Sequence, residues 1–169
     1  VGKLPILLYG SSILRQKSLP VQKIDGELQT FIDDMIETMY AAPGVGLAAP
    51  QVGRLSRVIV LNPSEHQDPK SLMVLINPEI VQAEGEITAE EGCLCIPDLR
   101  EPVTRYERVL VKGYDRDERE VEVEGKGLLA RILQHEVDHL EGLLFIDRLS
   151  PAKRDILRRR LKKRRMEER

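Results

Sequence analysis

No stretch of this chain approaches the roughly 20 consecutive apolar residues that a helix needs to cross a bilayer. The segment Val1-Gly2-Lys3-Leu4-Pro5-Ile6 lacks the long apolar core of a signal peptide. A cytoplasmic protein with no membrane partner is expected, and an organelle form already relieved of its transit peptide stays open. Cysteine is scarce. Cys93 and Cys95 lie one residue apart, too close for good disulfide geometry between them, which argues against a disulfide framework. In a cytoplasmic protein such a pair points to metal binding or reactivity. Internal repeats and low-complexity linkers are missing too, so one compact domain with a real core is expected. Composition is ordinary for a globular protein, with 32% charged and 41% hydrophobic residues.

Net charge is small, −2, but unevenly placed. Residues 151–169 carry ten Lys or Arg against three Asp or Glu, a charge of +7, which leaves −9 on residues 1–150. An acidic body (1–149) with a basic C-terminal helix of the same domain (150–169) is expected. Ser150-Pro151 suits the start of that helix, with serine as the cap and proline in the first turn.

Only three histidines are present, and two of them fall in His135-Glu136-Val137-Asp138-His139. Residues four apart share one face of a helix, one turn above another. Both imidazoles can therefore reach one metal ion, with Glu136 beside them to move protons for a metal-bound water. Leu128, Leu129, Ile132, Leu133, Leu140, Leu143 and Leu144 flank the motif, so the helix is expected to be buried. Buried histidines and a buried carboxylate need partners, and a metal supplies one. The helix should run from about Lys126 to Glu141 and stop near Gly142.

Elsewhere, Asp25 to Met39 has helical spacing of Leu28, Phe31, Ile32, Met35, Ile36 and Met39, with Asp25 as the cap. Arg57–Leu61 and Leu72–Ile76 read as short buried strands, and 109–123 as a hairpin with a polar loop. Strands and helices do not alternate regularly, which disfavours a doubly wound parallel sheet. The fold class expected is α+β, with antiparallel strands packed around a central buried metal-binding helix and a C-terminal helix.

A hydrolytic metal site takes three protein ligands and keeps one position open. The extended pattern His-Glu-x-x-His-x-x-Gly-x-x-His fails, because Gly142 is in register but Phe145 replaces the third histidine. Glu167 and Glu168 lie in the basic tail, and His66 lies in a polar loop. The Cys93 thiolate remains as the strongest candidate. Two other readings are a metalloprotease using the same helix, against which the missing third ligand counts, and a non-catalytic RNA-binding protein with a structural four-ligand site completed by Cys95 or His66.

Three separated motifs give the chain a family likeness. Gly44-Val45-Gly46-Leu47-Ala48-Ala49-Pro50-Gln51, Glu91-Gly92-Cys93-Leu94-Cys95 and Gln134-His135-Glu136-Val137-Asp138-His139 resemble peptide deformylase in order and spacing. The likeness extends over nearly the whole chain. It implies removal of the N-terminal formyl group from formyl-methionyl nascent peptides. It further implies Cys93, His135 and His139 as metal ligands and Glu136 as the proton carrier. The Gln51 amide and the Leu94 backbone N–H would be donors to the developing oxyanion. Substrate would lie like an added strand along Val45-Gly46 and pass close to Gly92, with Val45, Leu128 and Ile132 around the methionine side chain. Glycine at 44 and 46 fits either a tight turn or close backbone approach. The ion implied is Fe²⁺, with Zn²⁺, Ni²⁺ or Co²⁺ able to occupy the site. A monomer that docks on ribosomal RNA through its basic C-terminal helix is expected. Cys95 departs from the family's usual serine; a small buried residue or a second reactive thiol are the alternatives.

Overall fold

The computed structural model describes residues 2–167; Val1 and the tail residues Glu168 and Arg169 lie outside them. In chain order the main elements are α1 (Gly26–Ala41), β1 (Gly46–Ala48), β2 (Val58–Leu61), β3 (Met73–Glu84), β4 (Ile87–Cys93), β5 (Ile96–Arg105), β6 (Arg108–Tyr114), β7 (Glu120–Lys126), α2 (Leu128–Leu140) and α3 (Pro151–Glu167). Five strands form one antiparallel sheet in the order β1-β2-β3-β6-β7, and β4 and β5 form a separate hairpin. The α+β class, the buried central helix and the C-terminal helix agree with the expectation from sequence. Among the described residues no helix is long and apolar enough to cross a membrane.

Each element follows from its side chains. Asp25 caps α1, its carboxylate accepting from the Leu28 N–H at 2.9 Å, and Leu28, Ile32, Met35 and Met39 form the buried stripe. All four residues of β2 are buried because both faces of the sheet are covered there. Val58 and Val60 meet the α1 stripe, whereas Ile59 and Leu61 join Ala130, Leu133, Val137 and Leu140 of α2. Each such aliphatic burial contributes about 1.5–3 kcal/mol. Every residue of α2 from Ala130 to Leu140 is buried. The helix stops at Gly142, whose φ of 76° suits glycine, and a Cβ there would lie 2.6 Å from the Arg15 carbonyl oxygen.

Two expectations need correcting. The strand from Leu72 continues to Glu84, because its second half pairs with β6 while leaving Val81, Gln82 and Glu84 exposed. Leu128 is not part of the buried flank: it is 56% exposed, at the first turn of α2. The chain beyond α2 returns through Leu144, Phe145 and Ile146 to a third core with Leu14, Cys95, Ile96, Leu99 and Val103. Leu157 and Leu161 anchor α3 on that core.

Candidate active site

Two elements face each other at the site. Helix α2 supplies His135, Glu136 and His139 from one face, and the end of β4 supplies Cys93. One ligand atom from each of Cys93, His135 and His139 lies within 4.8 Å of the others. Cys93 Sγ stands 3.3 Å from His139 Nε2. A thiol and two imidazoles converging in this way fit a divalent transition-metal ion.

The orientation of His135 is fixed from behind. Its Nδ1 lies 2.9 Å from Glu91 Oε1. Glu91 is itself held down to a pKa of about 2: burial works to raise it, but hydrogen bonds from His135 and Arg105 outweigh that. A carboxylate can only accept, so Nδ1 holds a proton, and Nε2 is the nitrogen that offers its lone pair to an ion once the ring is neutral. Glu91 also accepts from Arg105 Nε and Nη2, at 2.6 and 2.9 Å, and from Arg131 Nη1. Arg105 in turn donates to Asp138 at 2.9 Å, and Arg148 closes the network on Asp138 at 2.6 and 3.0 Å. On the other side Phe145 stacks against the His135 ring with centroids 6.3 Å apart.

Glu136 is buried, and burial pushes its pKa up to about 7 against the pull of His135 and Arg105. Its Oε1 and the Nδ1 of His139 are buried polar atoms with no hydrogen-bond partner among the described residues. A carboxylate oxygen left open beside three ligand atoms fits a water molecule at a metal. Gln51 is 1% exposed and tightly aimed. Its Oε1 accepts from the Ala48 N–H at 2.9 Å, which turns the amide nitrogen toward Cys93 Sγ at 3.4 Å. Leu94 follows Cys93 at the tip of the β4–β5 turn.

A cavity of about 780 Å³ opens over these groups. Val45, Gly46, Gly92, Leu128 and Ile132 all line it, as do Gln51, Cys93, Leu94, His135 and Glu136. Exposed Leu128 and Val45 are thus walls of the cavity mouth. Gly46 also makes a close approach that sequence reasoning did not foresee: a Cβ there would lie 2.5 Å from Glu136 Oε2. Cys95 is fully buried in the third core and does not line the cavity. His66 and Glu167 are exposed, away from the site, and Glu168 lies outside the described residues.

Sequence reasoning missed the supporting shell. Glu91 and Asp138 stand inside the quoted motifs without an assigned role, and Arg105, Arg131 and Arg148 drew no notice. The available signal was charge where the pattern demands burial: Arg131 and Asp138 interrupt a helix whose neighbours are buried.

An ion-binding trio of two helix imidazoles and one hairpin sulfur, with an acidic residue beside it, defines a hydrolase with a single metal centre. Comparison with known proteins narrows the class. The sequence model described as polypeptide deformylase matches residues 3–155. A peptide deformylase of Thermodesulfovibrio yellowstonii is 54% identical over 159 residues, covering 94% of this chain and 96% of that protein. The crystal structure of a peptide deformylase from Legionella pneumophila is 47% identical with a TM-score of 0.88, covering 98% of both chains. That of Synechococcus elongatus, solved in complex with actinonin, is 42% identical with a TM-score of 0.85, covering 90% of this chain and 84% of that one. The chain belongs to the polypeptide deformylase family.

Proposed function

We propose that this chain removes the N-terminal formyl group of formyl-methionyl nascent peptides through the groups gathered around Cys93, His135 and His139. The observation that carries the assignment of roles is the buried Glu136 carboxylate, with one unpartnered oxygen beside three converging ligand atoms. A bound divalent ion would supply Lewis-acid polarisation of the formyl carbonyl and lower the pKa of a water toward about 7. Glu136 takes the proton of the attacking water and returns it to the departing amine, work suited to a group whose pKa is about 7. Gln51 Nε2 and the Leu94 N–H donate to the formyl oxygen as it gains charge. Fe²⁺ is the proposed ion; Zn²⁺, Ni²⁺ and Co²⁺ suit the same donors.

Val45 and Gly46 offer an edge along which an extended peptide can lie, since β1 is the outer strand of its sheet. Leu128, Ile132 and Val45 suit an unbranched apolar side chain such as methionine. The decisive assay compares formate release from formyl-Met-Ala-Ser with hydrolysis of its acetyl counterpart. Formate release with the acetyl peptide hardly touched is expected; equal rates on both would overturn the reading.

Residues 1–149 and 150–169 are proposed as one folding unit acting as a monomer in the cytoplasm, or in an organelle after removal of a transit peptide. The basic face of α3 is proposed to dock on ribosomal RNA. Leu157 and Leu161 face the body while Arg158, Arg159, Arg160, Lys162, Lys163 and Arg165 are exposed. Truncating α3 would strip apolar contacts from the core beside the site, so reversal of exposed charges is the better test. Arg159→Glu with Lys163→Glu should reduce ribosome co-sedimentation at low salt and leave hydrolysis of short peptides unchanged.

A further inference from the structure

Cys95 takes no part in the chemistry above, yet its sulfur lies 3.0 Å from that of Cys93. Residues two apart in a straight strand are separated by about 6.6 Å. The hairpin changes that: Cys93 pairs with Ile96 across the β4–β5 turn, and the turn brings both sulfurs to one side. At this turn the two sulfurs therefore already stand in contact. A disulfide bond needs the sulfurs at about 2.05 Å, a side-chain adjustment of about 1 Å. Both cysteines are free in this structure.

The two sulfurs differ in access. Cys93 is partly accessible and lines the cavity, whereas Cys95 is fully buried beneath it among Leu14, Ile96 and Phe145. A small oxidant entering by the substrate route meets Cys93 first and cannot reach Cys95 directly.

We propose that Cys93 and Cys95 form a site of reversible oxidation, in which a hydroperoxide converts the metal-ligating thiol into a disulfide and the ion is released. The inference rests on Cys93 being a metal ligand. In the first step the Cys93 thiolate attacks one oxygen of hydrogen peroxide, the O–O bond breaks, Cys93 becomes a sulfenic acid, and the departing hydroxide takes a proton from solvent to leave as water. In the second the Cys95 sulfur attacks the Cys93 sulfur. The S–O bond breaks, and hydroxide departs with the thiol proton as a second water. One thiolate, one thiol, one solvent proton and one hydrogen peroxide thus give one disulfide and two waters. A disulfide sulfur is no longer a thiolate ligand, so two imidazoles alone remain for the ion. A serine at position 95 could not resolve the sulfenic acid, which would proceed to sulfinic and sulfonic acids.

The test uses the full chain loaded with Zn²⁺, which has no redox chemistry of its own. After hydrogen peroxide, intact mass and zinc released to a chromogenic chelator are read, then read again after dithiothreitol and fresh Zn²⁺. The wild type should fall by about 2 Da as a monomer, release its zinc, and recover mass and zinc content on reduction. Cys95→Ser should instead gain about 32 or 48 Da and fail to recover. Cys95→Ala, which keeps the pocket apolar, is treated in parallel, and both variants are checked for zinc content before oxidation. A wild type that gains oxygen without any species lighter by about 2 Da overturns the proposal whatever the variants do. So does full recovery of both variants. A wild type that forms the disulfide but keeps its zinc would show that Cys93 is not a ligand, which separates that failure from failure of the oxidation itself.

Discussion

Gly46 and Glu136 touch across the gap between β1 and α2, so closely that a Cβ on Gly46 would lie 2.5 Å from Glu136 Oε2. The absence of a side chain at 46 therefore sets the position of Glu136, the proposed proton carrier, as well as leaving room for the proposed substrate strand. Gly46→Ala should retain the fold and metal content but displace Glu136. A fall in kcat on the order of 10²-fold is expected, as for other misplacements of about 1 Å. A variant with unchanged kcat would remove the positional role.

Glu136→Gln leaves Cys93, His135 and His139 in place and removes only the proposed base. Metal content should stay unchanged while kcat falls on the order of 10²- to 10⁴-fold. Loss of metal along with activity would mean that Glu136 helps to hold the ion. Gln51→Leu should cost on the order of 10²-fold or more in kcat, by loss of a donor to the oxyanion.

Metal uptake should release protons. The hydrogen bond with Cys95 and burial push the Cys93 thiol up to about 11 in the metal-free protein. Burial opposes the His135 imidazolium, but hydrogen bonds with Cys93 and Glu91 outweigh it and raise the group well above its usual range. Both must lose a proton to coordinate, so apparent affinity should rise with pH, about tenfold per unit for each proton displaced. Anaerobic Zn²⁺ titrations at pH 6, 7 and 8 measure this directly. An affinity independent of pH would show that the ligands are already deprotonated.

Glu91→Gln should be among the most destabilising single changes, because Arg105, Arg131 and His135 all lean on that carboxylate. Breaking a buried ion network by removing one partner costs about 3–5 kcal/mol. Loss of the carboxylate behind His135 should also weaken metal binding by about 10–100-fold. The pH dependence has a definite sign. The folded pKa of about 2 lies below the ordinary 4.5. The contribution is therefore full above pH 4.5 and is lost as pH falls from there through about 2. Unfolding midpoints of wild type and variant should differ most near neutrality and converge under acid.

The legible part of this protein is what spacing encodes. Two histidines four apart mark the metal helix, whereas Cys93 as the third ligand follows from setting aside Phe145, His66, Glu167 and Glu168 and from the family likeness, a choice that the Cys93–His135–His139 cluster fits. The β4–β5 hairpin that presents Cys93 escaped notice because Thr88, Ala89, Glu90, Asp98, Arg100 and Thr104 leave much of it exposed, with no apolar alternation to read. The network from Glu91 through Arg105 and Asp138 to Arg148 spans residues far apart in sequence. No local pattern encodes such pairings; they arise only when the hairpin folds over α2. Cys95 was seen as a departure, but its 3.0 Å contact with Cys93 depends on a turn that sequence alone did not reveal.

The double-sided burial of β2 has a consequence for amide exchange. Val58 to Leu61 are shielded by α1 on one face and α2 on the other, and their backbones pair with β1 and β3 on both sides. Such a strand opens only when the whole sheet does, so its hydrogens should be among the slowest in the molecule to exchange. Gly46 to Ala48 pair residue for residue with Leu61 to Ile59. The rim on which a peptide is to be laid is thus stitched to one of the most slowly breathing strands of the protein, while the β4–β5 hairpin across the cavity belongs to a separate sheet and is free to exchange sooner.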